Sequence, residues 1–223
     1  MMKRLIKLLK QNRSLILFIS LMLVFRSAVA DWNHVPTGSM KPTIIEGDRL
    51  LVNKMAYDLR VPFTHISIAK LADPQRGDIV IFDSKASNKK LVKRVIGLPT
   101  DSISMHDNVL SINGNTLTYS ESHTLHSDGS ETRTENLLGL NHQIKVAGFS
   151  GQGVMTPQSS FGPITVPEGH YLVLGDNRDN SGDSRMIGFV PRTEIVGRSS
   201  SVVFSANYDN YYLPRQERFF HSL

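Results

Sequence analysis

The chain has 223 residues and a mass of 24.9 kDa, with 40% hydrophobic and 20% charged residues. That composition excludes a wholly disordered chain, a collagen and a polytopic membrane protein, and the lack of cysteine excludes a disulfide framework, a zinc ribbon, an iron–sulfur site and a thiol nucleophile. The formal charge of +5 belongs to one end. Residues 1–30 hold Lys3, Arg4, Lys7, Lys10, Arg13 and Arg26 and no acid, leaving 19 basic against 20 acidic residues beyond them. A nearly neutral body gives no reason to expect a nucleic-acid partner.

In chain order, a basic tail (1–13) precedes the apolar run from Leu15 to Phe25, within a segment 14–30 that ends in Ala28-Val29-Ala30. Basic flank, short apolar run and small-residue triplet fit a cleaved signal peptide. They also fit an uncleaved anchor whose Arg26 snorkels towards headgroups. Arg26 stands between the apolar run and the triplet, which argues against cleavage. The expectation is therefore one N-terminal transmembrane helix over 14–30. The positive-inside rule then leaves the N-terminus in the cytoplasm and residues 31–223 outside it.

From Asp31 onward, short β-branched runs lie between turn signals: Arg49 to Val52, Asp78 to Phe82, Leu91 to Ile96, Val109 to Ile112, Tyr171 to Leu174 and Ser201 to Phe204. Asn113-Gly114 directly after the fourth run predicts a tight hairpin, because both central positions of a type I′ turn need positive φ. Long 3.6-residue periodicity is absent beyond the anchor. These patterns predict a mainly β fold of folded-over antiparallel sheets with a barrel-like core. Residues 115–167, rich in Ser, Thr, His, Gly and Asn, are expected to form an inserted lobe.

Three segments carry chemistry-bearing residues. Thr37-Gly38-Ser39-Met40-Lys41-Pro42-Thr43 places a serine in a turn pinned by Pro36 and Pro42, where a hydroxyl and neighbouring N–H groups can be presented together; a plain surface loop is the simpler alternative. In Leu91-Val92-Lys93-Arg94-Val95-Ile96-Gly97, Lys93 shares a strand face with Leu91 and Val95, a setting that removes water and lowers an amine pKa. An edge-strand lysine that discourages aggregation would have the same pattern. The stretch from Gly175 to Arg185, GDNRDNSGDSR, follows an apolar strand. It lacks the closing Glu of an EF-hand calcium loop.

Taken together and in order, Phe-Arg-Ser at the end of the apolar run, PTGSMKPT, GDRLLVNKMAY, RGDIVIF, KRVIGLPTD, GDNRDNSGDSR and GFVP are similar to the motifs of bacterial type I signal peptidases. The resemblance spans about Phe25 to Arg198 and is weakest between Asn115 and Pro167. It implies a membrane-bound serine endopeptidase of the bacterial inner membrane, single-pass, that removes N-terminal signal peptides from exported preproteins after Ala-x-Ala. Its implied partners are those preproteins and the lipid bilayer, with no cofactor and no metal.

The resemblance implies Ser39 as nucleophile and Lys93 as general base, Thr37 as an oxyanion-hole hydroxyl and Ser181 as the hydroxyl that orients the amine. Val35, Pro36, Met40, Ile44 and Val92 correspond to positions around shallow substrate pockets. Arg94, and the pair Asp183 and Arg185, correspond to structural support. Thr100 departs from the family pattern, which usually has glycine after Leu-Pro.

Other readings remain beside this one. A Ser-His-Asp hydrolase requires a histidine at Ser39, but His34 carries no motif, and His123, His126 and His142 read as solvated. A metal enzyme lacks His-Glu-x-x-His. Residues 148–153 form a glycine-rich stretch without the lysine of a phosphate loop. A specialised relative maturing a conjugative pilin would share the dyad, and a non-catalytic exported β protein would lack the activity.

Overall fold

The computed structural model describes residues 4, 10–64, 66–120, 124–147 and 158–223. Lys3 and Lys7 of the basic tail, His123 and the 148–153 stretch lie outside the described residues. Antiparallel sheets dominate. The largest runs in the order Ala30–His34, Asp48–Asn53, Ile195–Asn207, Ile79–Ser84, Lys89–Gly97, His170–Leu174 and Val190–Pro191, with Leu213–Pro214 and His221–Ser222 also paired to Ile195–Asn207. Glu131–Leu137 forms a second sheet with Thr118–Tyr119, Thr124–Leu125 and Leu140–Val146, and Phe161–Thr165 a third with Ser102–His106, Val109–Ile112 and Asn115–Thr116. The turn at Asn113 and Gly114 has φ of 52° and 80°, and Ile112 pairs with Asn115 across it.

The apolar runs follow from burial on both faces of the main sheet. Val80, Phe82, Val95 and Val173 pack into one cluster, whereas Ile96, Leu172 and Leu174 face another, with Ile103, Leu110 and Ile112. Covered on both sides, these strands read as continuous rather than alternating hydrophobic sequence. A third cluster, of Val35, Met40, Ile44, Leu50, Ile79 and Val202, lies under the turn that bears Ser39.

The structure corrects two expectations. The sheets are open and no barrel closes among the described residues: the main sheet ends at the two-residue strand Val190–Pro191, where proline has no N–H to extend a ladder. Nor is any helix among the described residues long and apolar enough to cross a membrane. The segment expected as a transmembrane anchor forms the helix Arg13–Ala28, whose 16 residues rise about 24 Å against a bilayer core of about 30 Å.

The sheet takes over immediately, as Ala30 already pairs with Asn53. Arg26 turns to Asp31 at 2.7 Å and lies 4.4 Å from the Trp32 ring centre, and Lys54 Nζ donates to the carbonyl oxygen of Arg26. The transmembrane helix and, with it, the membrane-bound, single-pass inner-membrane localisation are therefore withdrawn.

The second sheet meets the Gly175–Arg185 loop through paired backbone and buried charge. Lys145 N–H donates to Asp176 O and Arg178 N–H to Lys145 O, at 2.8 and 2.9 Å. The Arg178 guanidinium, fully buried, donates to both carboxylate oxygens of Glu135 at 2.8 and 2.7 Å. Breaking such a pair from one side strands a buried charge. Arg178→Met is expected to cost about 3–5 kcal/mol in urea unfolding. Adding Glu135→Leu is expected to recover part of that loss, and a double-mutant cycle with no coupling would show that the pair does not act as one unit.

Thr100 sits at φ 73°, a left-handed conformation that disfavours a β-branched residue, with its N–H donating to Val166 O and its side chain exposed. The left-handed backbone costs an L-residue about 1–2 kcal/mol, partly offset for glycine by its greater freedom when unfolded. Thr100→Gly is expected to stabilise by up to about 1 kcal/mol and raise Tm by roughly 2–4 °C, measured by calorimetry.

Candidate active site

The turn that bears Ser39 is fixed from beneath and from one side. Val35, Met40 and Ile44 are buried and plug the 35–44 segment into the core, while Lys41 N–H donates to Gly38 O and Ile44 N–H to Met40 O. Lys93 reaches Ser39 from the Lys89–Gly97 strand, which pairs with Ile79–Ser84 and His170–Leu174 and is thus held on both edges. Lys93 Nζ lies 2.6 Å from Ser39 Oγ, although 54 residues separate them in sequence.

Lys93 is only 2% exposed, and burial pushes its amine down to about 8. The carboxylates of Asp183 and Asp176 oppose that shift and Arg185 assists it. Burial alone would raise the Asp176 carboxyl, but Arg94 overrides it and holds the group ionised. Arg94 donates through Nε and Nη2 to the two Asp176 oxygens at 2.9 and 2.7 Å, and Thr43 Oγ1 donates to Asp176 Oδ2 at 2.6 Å. Asp183 accepts from Arg185 Nη2 at 2.7 Å and from Gly175 N–H at 2.9 Å. Each acid near the amine thus has an arginine against it.

A cavity of about 320 Å³ opens beside the pair, lined by Val35, Pro36, Thr37, Ser39, Met40, Val92 and Lys93. Thr37 stands exposed in it. Ile44 does not line the cavity and lies fully buried behind its wall. Ser181 Oγ is buried with no hydrogen-bond partner. At Gly175, which lies between Ser181 and the Ser39 carbonyl, a Cβ would collide with both, so the close approach of loop to turn requires glycine. The described residues contain no group of His, Asp and Glu arranged to hold a metal ion.

Two contributors are not legible as such in the sequence. His142, expected to be solvated, is buried, its Nε2 3.3 Å from Glu135 Oε1 and 3.8 Å from Asp176 Oδ1. Burial pushes its pKa down to about 4, with Arg94 and Arg178 working in the same direction against Asp176 and Glu135. The alternation in Leu140–Val146 carries the signal, since His142, Ile144 and Val146 share the inward face. Asn177 is the other: its backbone N–H donates to Ser39 O at 3.1 Å and its Nδ2 to Gly38 O at 2.9 Å.

Comparison with known proteins shows the family to which the chain belongs. The profile of the family described as "Signal peptidase, peptidase S26" matches residues 6–204. The chain belongs to the signal peptidase S26 family. It is 36% identical to a signal peptidase I of Pseudomonas fluorescens over 89% of this chain and 73% of that one. It is 32% identical to a probable signal peptidase I-2 of a Synechocystis species over 86% and 71%. Membership of the signal peptidase family makes the chain a serine endopeptidase with a Ser–Lys dyad mechanism.

The burial of Lys93 generates a direct test. In protein labelled with ¹³C at lysine Cε, one resonance is expected to titrate near pH 8 and to vanish in Lys93→Met. Titration of that resonance above pH 10 would show that burial does not depress the amine.

Proposed function

We propose that this signal peptidase family member cleaves signal-peptide-bearing preproteins after Ala-x-Ala, with Ser39 as nucleophile and Lys93 as general base. The observation that carries the reading is the 2.6 Å contact between Ser39 Oγ and a buried amine whose pKa is near 8. A protonated lysine cannot accept a proton, so the working form is the neutral amine. Its lone pair takes the Ser39 hydroxyl proton as Oγ attacks the scissile carbonyl carbon. The resulting ammonium returns that proton to the departing amine of the mature chain. Water, deprotonated by the same lysine, then releases the signal peptide from the acyl-enzyme.

The developing oxyanion is held by the Ser39 N–H and the Thr37 hydroxyl. Ser181 Oγ, buried with no hydrogen-bond partner of its own, is the hydroxyl assigned to orient the amine. Val35, Pro36, Met40 and Val92, with Ile44 behind them, leave room for small side chains and exclude large ones. The peptide backbone itself is read by strand-like hydrogen bonding, which accepts varied sequences. Arg94 and the Asp183–Arg185 pair hold the surrounding charge in place.

Ser39→Ala, Lys93→Ala and Lys93→Arg are each expected to abolish cleavage of a purified preprotein while circular dichroism stays parental. The arginine variant fails because guanidinium stays protonated. Thr37→Val is expected to lose about 2.7–4 kcal/mol of transition-state stabilisation, and Thr37→Ser to stay near parental. Sustained turnover by Lys93→Arg would remove Lys93 from the role of base.

A further inference from the structure

The two hydrogen bonds from Asn177 act on the two peptide groups that flank Ser39. The carbonyl of Gly38 and the N–H of Ser39 belong to one planar trans peptide, so fixing the oxygen fixes the direction of the N–H on the opposite side. Gly38 O accepts from Asn177 Nδ2 at 2.9 Å and from Lys41 N–H at 3.1 Å. The next peptide is held through Ser39 O, which accepts the Asn177 N–H at 3.1 Å. With both planes held, rotation about the two backbone bonds of Ser39 is held as well, and so is the direction of its Cβ.

We propose that Asn177 is a positioning residue that aims the Ser39 N–H at the oxyanion by gripping the far end of the same peptide group. The place requires a donor, which an isosteric aspartate carboxylate cannot supply, because a carbonyl oxygen can accept but never donate. Hydrogen bonding at Gly38 O also polarises the peptide and makes the Ser39 N–H a better donor. Asn177 is itself held firmly. It is 7% exposed, and the loop around it is tied to Lys145 by the Asp176 and Arg178 backbone. The oxyanion donor of the turn is thereby set by a residue 138 positions later, on the loop that also bears Ser181.

The inference rests on Ser39 as nucleophile, and inactivity of Ser39→Ala tests that assignment separately. Asn177→Ala and the near-isosteric Asn177→Leu remove the side-chain donor without adding charge and leave the backbone N–H in place. Steady-state kinetics with a fluorogenic peptide bearing Ala-x-Ala before the cut are expected to show kcat lowered about 10- to 100-fold, short of the loss of a whole oxyanion donor, with KM within about twofold.

The pH–rate limb set by Lys93 is expected to stay at its parental position, because the amine is untouched. A merely structural role would displace Ser181 and Asp183 along with the loop and move that limb. The effect of Thr37→Val is expected to shrink in the Asn177→Ala background, since both act on one oxyanion. Parental kcat in both Asn177 variants, or a limb shifted by more than half a pH unit, overturns the proposal. Where Asn177→Ala melts early, Asn177→Ser keeps a polar group too short to reach Gly38 O and is held to the same two criteria.

Discussion

Keeping one lysine amine dry is the constraint on which the rest of this structure depends. An amine at 2% exposure favours its neutral form, yet two carboxylates lie close enough to favour the ammonium. Had Asp176 and Asp183 been unpaired, their fields would have worked against desolvation at full strength. Each is instead locked to a guanidinium, Asp176 to Arg94 and Asp183 to Arg185, both at 2.7 Å. At Lys93 the Arg185 guanidinium works against its carboxylate partner, and desolvation prevails. These buried ion pairs are weak evidence for stability, since the desolvation of two ions rivals their attraction. Their stronger justification is electrostatic: they satisfy the loop's geometry without undoing the depressed pKa.

The Arg94–Asp176 and Arg178–Glu135 pairs tie together segments that are remote in sequence. Arg94 is on the strand that carries Lys93, Asp176 and Arg178 are on the loop that carries Ser181, and Glu135 is on the second sheet. His142 lies between the two ion pairs, neutral near pH 7 because its burial outweighs the neighbouring acids. The Ser39 turn joins this assembly through Thr43 on Asp176 and through Asn177 on Gly38 and Ser39. A site built from three separate chain segments thus gains rigidity from groups that never face the cavity.

What the sequence revealed divides along the range of the interaction. Local rules worked where the deciding atoms are neighbours in the chain. Asn113-Gly114 needs positive φ and has it, and the β-branched runs lie in strands. Apolar content alone does not make the anchor, because strand pairing begins at Ala30 and Asp31 draws Arg26 to it. Barrel closure failed for a related reason, since strand runs say nothing of which edges meet. His142 was misread by composition, in a polar stretch, when the period-two pattern of its own strand pointed inward. The Ser39–Lys93 contact spans 54 residues, and no spacing rule reaches that far. Only the joint order of the motifs suggested it.

The value of the Lys93 pKa carries a consequence for how substrate and site interact. With a pKa near 8, about one amine in ten is neutral at pH 7 before substrate arrives. The cavity beside it is open and is lined by Lys89, Lys90, Leu91 and Val92 of the same strand. If Lys93 is the base, as proposed, a peptide bound along that strand would cover the remaining approach of water to the amine. Further desolvation would lower the pKa again, so that in this reading binding itself raises the neutral fraction of the amine. The amine is therefore poised short of full activation. In the reading proposed above, a peptide too bulky to settle against Val92 and Met40 leaves that last water in place, and size selection and base activation become the same physical event.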